Sequence, residues 1–258
     1  DVARPAWDLF PIENYLSKGL SFGVDRGRTM PVLATRGCPY QCTFCSSPSM
    51  WTTRWVARDP GAVLDEIEYY QKTYDVHSFD FYDLTAIIKR DWILDFCKLV
   101  QDRGLDFVWQ LPTGTRSEAI DADVAEALFA TGCRNITYAP ESGSPDELRR
   151  IKKKVKLPVM LDSMRSCTRH GLKVKVNIVL GFPDETFRDL LHTFWFLIQM
   201  AVIGVSDALV FLFEPYPGSA LYDQLLKEKK LPPPSDEYFL ALMCGGDLTQ
   251  SVSFTDHL

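Results

Sequence analysis

Histidine is scarce in this chain. His77, His170, His192 and His257 are the four present, and they stand at no metal-ligating spacing. No histidine-based metal centre is expected, and no convincing Ser–His–Asp arrangement or paired-carboxylate device is found. A long basic stripe is also missing, and the net charge is −6. Both argue against a nucleic-acid-binding surface. The seven cysteines are an odd number with three clustered, which is no disulfide framework. A reducing, cytoplasmic setting is expected. The isolated Cys97, Cys133, Cys167 and Cys244 read as small buried apolar residues.

Charge is absent from Leu190 to Ser206, 17 residues that include His192, Gln199 and Gly204. That length is at the lower limit for a membrane span. The stretch follows Pro183-Asp184-Glu185-Thr186, a good helix start, and is expected to be a barrel helix apolar most of the way round. The reading not favoured is a face that packs on a further domain or touches a membrane surface. The chain opens at Asp1 rather than methionine, with Ala6-Trp7-Asp8-Leu9-Phe10 patterned like the interior of a longer protein. It is expected to be a fragment.

What is present is a repeat of helix, glycine and strand, in a chain whose 46% hydrophobic content supports a sizeable core. Asp59-Pro60 is a helix cap followed by a first-turn proline. Val63, Leu64, Ile67 and Tyr70 then recur at helical spacing. Ile93, Phe96, Cys97 and Val100 mark a second helix, and Val124, Ala125 and Leu128 a third. Ser144-Pro145 is another cap, and a further helix runs near Pro158 to His170. Strands are expected at Val32–Thr35, His77–Tyr82, Leu105–Trp109, Arg134–Ala139, Lys173–Leu180 and Ala208–Phe213. Gly104, Gly132, Gly171 and Gly204 stand where left-handed caps belong. Six strands alternating with helices predict parallel βαβ units with right-handed crossovers. The fold class is α/β, a partial, open (β/α)6 TIM-like barrel.

Function in such barrels gathers at the C-terminal ends of the strands. Beyond those expected ends lie Asp83-Leu84-Thr85, Gln110 with Pro112–Arg116, Pro140–Ser144, Gly181–Glu185 and Glu214–Ser219. The first strand leads into Arg36-Gly37-Cys38-Pro39-Tyr40-Gln41-Cys42-Thr43-Phe44-Cys45. The spacing is C-x3-C-x2-C. Three thiolates on one short loop can hold three corners of a cubane iron–sulfur cluster and leave the fourth iron open for chemistry. A zinc site is the alternative, but it usually wants a fourth Cys or His, and none lies nearby.

This loop resembles the cluster motif of the radical S-adenosylmethionine (radical SAM) enzymes. The longer run Thr35 to Trp51, with Ala139–Ser144, Gly181–Thr186 and Pro215–Ser219, is similar to the cobalamin-dependent branch. The resemblance implies a radical SAM core over residues 31–228. Residues 1–30 would lead in from an N-terminal cobalamin-binding domain, and 229–258 would be an incomplete C-terminal extension. It implies a [4Fe–4S] cluster on Cys38, Cys42 and Cys45 that cleaves S-adenosylmethionine (SAM) reductively to a 5′-deoxyadenosyl radical. Cobalamin-dependent methylation of an unactivated carbon would follow. Cyclisation, rearrangement or methylthiolation remain alternatives within the superfamily. A non-catalytic iron–sulfur or zinc module is the alternative outside it.

The resemblance also implies contacts to SAM. Asp83, with Thr85 beside it, faces the ammonium; Glu141 and Ser142 lie on the ribose segment. The Phe44 backbone and the segment Asn177 to Gly181 lie against adenine. Each position also suits a plainer role. Asp83 can be a strand-end turn residue, Ser144 a helix cap, and Gly181 and Tyr216–Ser219 turns. The run Lys152-Lys153-Lys154 with Lys156 reads as a solvated helix face, or as a site for an anionic substrate or lipid head group. The implied partners are a small-molecule or lipid-like substrate and a flavodoxin- or ferredoxin-type electron donor.

Overall fold

The computed structural model describes residues 4–231 and 234–243. Cys244 and His257, and the end of the expected C-terminal extension, lie outside the described residues. The strands are β1 (Thr29–Val32), β2 (Thr35–Arg36), β3 (Val56–Ala57), β4 (Ser78–Phe81), β5 (Val108–Thr115), β6 (Cys133–Glu141), β7 (Lys173–Leu180) and β8 (Asp207–Leu212). The α-helices are α1 (Glu13–Leu16), α2 (Ser47–Trp51), α3 (Pro60–Tyr74), α4 (Arg90–Asp102), α5 (Ala122–Ala130), α6 (Pro145–Arg150), α7 (Leu157–Arg169), α8 (Phe187–Ile203), α9 (Ala220–Lys227) and α10 (Asp236–Met243).

Six strands make one sheet in the order β1-β4-β5-β6-β7-β8, and β2 with β3 make a separate antiparallel pair. The pairs β1–β4, β4–β5, β5–β6 and β7–β8 are parallel. Parallel neighbours need a crossover, and helices α3, α4, α5, α7 and α8 lie in the successive connections. This is the strand order of a partial (β/α)6 barrel.

Three strand boundaries differ most from expectation, and each lies at a proline; β6 runs on through Pro140 to Glu141, residues expected beyond its end. Pro31 interrupts the run that forms β1, yet β1 is the terminal strand of the order, where one missing N–H breaks no ladder. Thr35, expected to end this strand, and Arg36, expected to open the cysteine loop, pair instead with Ala57 and Val56. Similarly, β5 starts later than expected and runs through Pro112 to Thr115. A register shift between Leu111 and Gly114 accommodates the proline. Gln110 and Pro112–Thr115 therefore belong to a strand, not to a loop beyond it.

The chain divides into two compact units. The first holds residues up to 36, 56–138 and 162–174. Its helices bury the faces read from spacing: Val63, Leu64, Ile67 and Tyr70 on α3, Ile93, Phe96, Cys97 and Val100 on α4, and Val124, Ala125 and Leu128 on α5. All four residues of β4 are buried. Phe81, Phe96 and Trp109 form a ring cluster with centroids 5.1–5.7 Å apart. Each such buried ring contributes about 1.5–3 kcal/mol. Gln110 accepts from Val24 N (3.0 Å) and donates to Val24 O (2.9 Å) and Asp80 (2.7 Å), which ties the N-terminal segment down.

The second unit holds residues 37–55, 139–161 and 175 onward. Its core joins Leu148, Ile151, Phe182, Phe213 and Leu225, with Phe44 packed against it. Thr186 and Asp189 form a reciprocal capping box at the start of α8, and left-handed Gly204 ends it. One face of α8 buries Thr193, Phe196 and Met200. Phe187, Leu191, Phe194, Trp195, Ile198 and Val202 remain exposed. The charge-free stretch is thus a helix with one buried and one uncovered apolar face. Among the described residues no helix is long and apolar enough to cross a membrane.

Candidate functional site

The cysteine loop is shaped by its backbone. Gly37 has φ +75°, and a Cβ there would lie 2.1 Å from Arg54 O, so only glycine fits before the first cysteine. Thr43 N–H donates to Ile151 O (3.0 Å), and Thr43 O accepts from Leu221 N–H (2.8 Å). These two bonds hold the middle of the loop. Cys45 N–H donates to Cys42 O (3.2 Å), and Ser47 N–H donates to Cys45 Sγ (3.4 Å).

Cys38, Cys42 and Cys45 are half-buried and form no disulfide. Burial pushes the Cys42 thiol up; the Lys153 ammonium opposes that shift, and charge on Cys45, Glu141 or Cys38 would add to it. The three thiols and the Lys153–Glu141 pair thus feel one another. Cys97, Cys133 and Cys167 are buried instead, as expected of packing residues. Among the described residues no three His, Cys, Asp or Glu side chains are gathered to hold a single metal ion. A cubane places each thiolate on its own iron, so it does not ask them to meet at one point. The half-buried thiols on one clamped loop fit that group.

Lys153 Nζ lies 2.7 Å from Glu141 Oε1 and 6.0 Å from the centre of the Phe44 ring. Glu141 is buried and left-handed (φ +68°), an uncommon conformation for a residue other than glycine. Phe44 also packs on Phe182, with centroids 5.6 Å apart. The Ser142 hydroxyl is already committed to Thr193 Oγ1 (3.1 Å) and to Ser144 N–H (3.0 Å), so its side chain is structural. Ser144 caps α6 and also donates to Asp189. Arg150 bridges Glu147 and Asp189. Hydrogen bonds from Ser144, Thr186 and Arg150 outweigh burial and hold the Asp189 carboxyl well below its ordinary range.

Thr43 Oγ1, His192 Nδ1 and two carbonyl or carboxylate oxygens are the buried side-chain atoms of this unit without partners among the described residues. The two oxygens are Asn177 Oδ1 and Glu185 Oε1. Burial pushes the Glu185 carboxyl up to about 7, despite the Gly181 N–H donated to its other oxygen at 2.5 Å. Gly181 is left-handed (φ +85°), and a Cβ there would meet nothing nearer than Phe213 N at 4.0 Å. Open space beside the glycine that follows β7 and an unsatisfied acceptor on β7 suit a ligand with hydrogen-bond donors. The segment Tyr216–Ser219 is accounted for locally. Gly218 O accepts from Ser49 (2.5 Å), and Ser219 caps α9.

Asp83 belongs to the first unit and is fully buried. Its Oδ1 accepts from Thr35 N–H, while Oδ2 has no partner. Burial raises its carboxyl to about 6 against the hydrogen bonds from Thr35 and Ala34. A buried acceptor left open is what an ammonium contact needs. Thr85, also buried, donates to Leu84 O (2.8 Å). Sequence reasoning passed over Lys153 and Glu185. Lys153 sat in a run read as a solvated face or an anion site, and Glu185 in a strand-end segment that resembles the family but in which no role was given to Glu185 itself.

Comparison with known proteins adds four findings. An uncharacterised methyltransferase of Pyrococcus horikoshii is 27% identical over 90% of this chain and 48% of its own length. The anaerobic magnesium-protoporphyrin IX monomethyl ester cyclase of Rubrivivax gelatinosus is 25% identical over 87% of this chain and 39% of its own. In fold, the chain is similar to the radical SAM methyltransferase TsrM of Kitasatospora setae, solved with cobalamin and a [4Fe–4S] cluster. The TM-score is 0.68 at 17% identity, over 84% of this chain and 41% of that one. The chain therefore spans less than half the length of each. Residues 32–197, from β1 through most of α8 and including all three loop cysteines, match the Radical SAM superfamily, and the chain belongs to it.

Proposed function

We propose that this chain is the radical-generating part of a cobalamin-dependent C-methyltransferase. The observation that carries the reading is the clamped loop with three half-buried thiols inside the matched region. When bound, a [4Fe–4S] cluster on Cys38, Cys42 and Cys45 supplies the electron that splits SAM into methionine and a 5′-deoxyadenosyl radical. This chain's residues position the nucleoside and the amino acid. Asp83 accepts a hydrogen bond from the ammonium with its unpartnered oxygen. Glu141, fixed by Lys153, faces the ribose hydroxyls. The Phe44 backbone, Asn177 and the space at Gly181 receive adenine. Ser142 contributes its backbone, since its hydroxyl is committed elsewhere.

Methyl transfer is supported by the relatives named above, two of which are methyltransferases. Cobalamin would be held outside residues 1–258, with residues 1–30 as the lead-in and 229–258 beginning a C-terminal extension; no residue of this chain is assigned to it. The substrate would be a small or lipid-like molecule, the donor a flavodoxin- or ferredoxin-type protein, and the setting the cytoplasm. Ring closure, the reaction named for the R. gelatinosus relative, is the second reading. The two are separated by their products.

The test is anaerobic. The protein is reconstituted with iron and sulfide, SAM and dithionite are added, and 5′-deoxyadenosine is quantified. Product from the parent and none from Cys38→Ala/Cys42→Ala/Cys45→Ala is the expected result. An intact cluster with no SAM binding would overturn the reading.

A further inference from the structure

Among the described residues, a cavity of about 570 Å³ opens beside the loop between α6 and α7. Five cationic side chains line it: Arg149, Lys152, Lys153, Lys154 and Lys156. Leu148, Val155 and Leu157 add an apolar part. The chain as a whole carries −6, so this is a local reversal of sign. Arg149, Lys152, Lys154 and Lys156 are exposed, whereas Lys153 turns inward to Glu141 and Phe44. The same turn carries Ile151, whose carbonyl holds Thr43 between two of the loop cysteines. One short segment therefore has cations on its solvent side and the cysteine loop on its other side.

We propose that this basic surface is where an acidic one-electron carrier protein docks to reduce the group held by the cysteine loop. The inference rests on the function proposed above, which requires one electron from outside for every SAM cleaved. In the step itself the carrier loses one electron and the loop-bound group gains one. No bond is made and no proton moves. Electron transfer weakens steeply with distance, so the docking face must adjoin the loop, and this one does through the Thr43–Ile151 hydrogen bond. Electron-transfer complexes are small, transient and steered by opposite charge. Exposed cations around an apolar centre suit that kind of contact. Tight capture of a small anion calls for enclosed donors, and four of the five cations here are exposed.

The experiment uses the full-length, cluster-loaded protein and a purified acidic bacterial flavodoxin. The variant is Lys152→Glu/Lys154→Glu/Lys156→Glu. Lys156→Glu alone is the milder companion, and Lys98→Glu on α4 is the control. Two quantities are read: flavodoxin affinity by titration, and the rate at which reduced flavodoxin is oxidised. We expect the triple variant to lose at least about tenfold in both, and the parent's affinity to fall with salt. The single variant should fall between, and the control should match the parent. 5′-Deoxyadenosine formation driven by dithionite should be unchanged in every variant.

Equal flavodoxin affinity and rate in parent and triple variant would overturn the proposal. So would loss of pyrophosphate binding with flavodoxin kept, which would assign the cavity to a small anion. Failure of the radical reading itself looks different: the parent makes no 5′-deoxyadenosine with dithionite. The flavodoxin titration still decides the docking surface in that case.

Discussion

Six cysteines lie in the described residues, and they fall into two sets of three. Cys38, Cys42 and Cys45 are half-buried on a clamped loop. Cys97, Cys133 and Cys167 are buried in the first unit. There burial pushes the thiols of Cys97 and Cys167 up to about 11, and that of Cys133 well above its ordinary value. Cys97 pairs with Thr131 (3.5 Å) and Cys167 with Tyr138 (3.3 Å), partners that satisfy a thiol without exposing it. The residue type is the same in both sets, and surroundings decide between an accessible thiol and a buried filler.

The carboxylates repeat the contrast. Asp189 is ringed by donors and sits below its ordinary range. Asp83 and Glu185 each keep one unpartnered oxygen and sit above theirs. Buried polar atoms are nearly always satisfied, and among the carboxylates of the described residues these two oxygens are the exceptions, suited to a ligand's donors.

The strongest way to break the cysteine comparison is to alter one member of each set. Cys42→Ala should abolish the iron–sulfur absorbance and SAM cleavage while leaving the urea midpoint of the metal-free protein near the parent's. Cys133→Ser should keep both activities and lower stability by about 1–3 kcal/mol, because a hydroxyl enters an apolar site. Equal loss of iron from the two variants would erase the distinction. Next in size is alkylation. Treating metal-free protein with iodoacetamide at pH 8 should label Cys38, Cys42 and Cys45 at least about a hundredfold faster than Cys97, Cys133 and Cys167, as read from peptide masses.

Two smaller effects sharpen the carboxylate contrast. Asp83→Asn should weaken SAM binding about tenfold, near 1.4 kcal/mol. The parent's own affinity should weaken as pH falls through about 6, where Asp83 takes up its proton, and the variant should lack that step. Calorimetric titration between pH 5 and 8 reads both. Glu185 has a folded pKa of about 7 against an ordinary 4.5, so the folded protein holds this proton more tightly than the unfolded chain does. Its share of stability is full below about 4.5 and is lost as pH rises to 7. Glu185→Gln should therefore gain about 1 kcal/mol over the parent at pH 8 and nothing at pH 4, by urea melts.

Much of this was legible in the sequence because it is local. The caps Asp59 and Ser144, the buried faces of α3 to α5 and the C-x3-C-x2-C spacing are all written within a few residues. What escaped depends on partners far along the chain. Pro31 is tolerable only because β1 ends the strand order, and Pro112 only because β5 shifts register beside it. Lys153 looked like its solvated neighbours until Glu141, twelve residues back, was seen to turn it inward. Glu185 lay in a readable helix start, but its burial and its unpartnered oxygen are set by the packing of the second unit.

The bonds on Thr43 have a consequence for assembly. Fixing a residue's backbone costs about 1–2 kcal/mol of conformational entropy. Because Ile151 and Leu221 hold the loop through main-chain bonds alone, that cost falls on folding rather than on metal uptake. Many small metal domains gain their structure and their metal together. In this loop the two are separate, so a cluster would arrive at thiols already in place, and losing it would leave the polypeptide folded and ready to be loaded again.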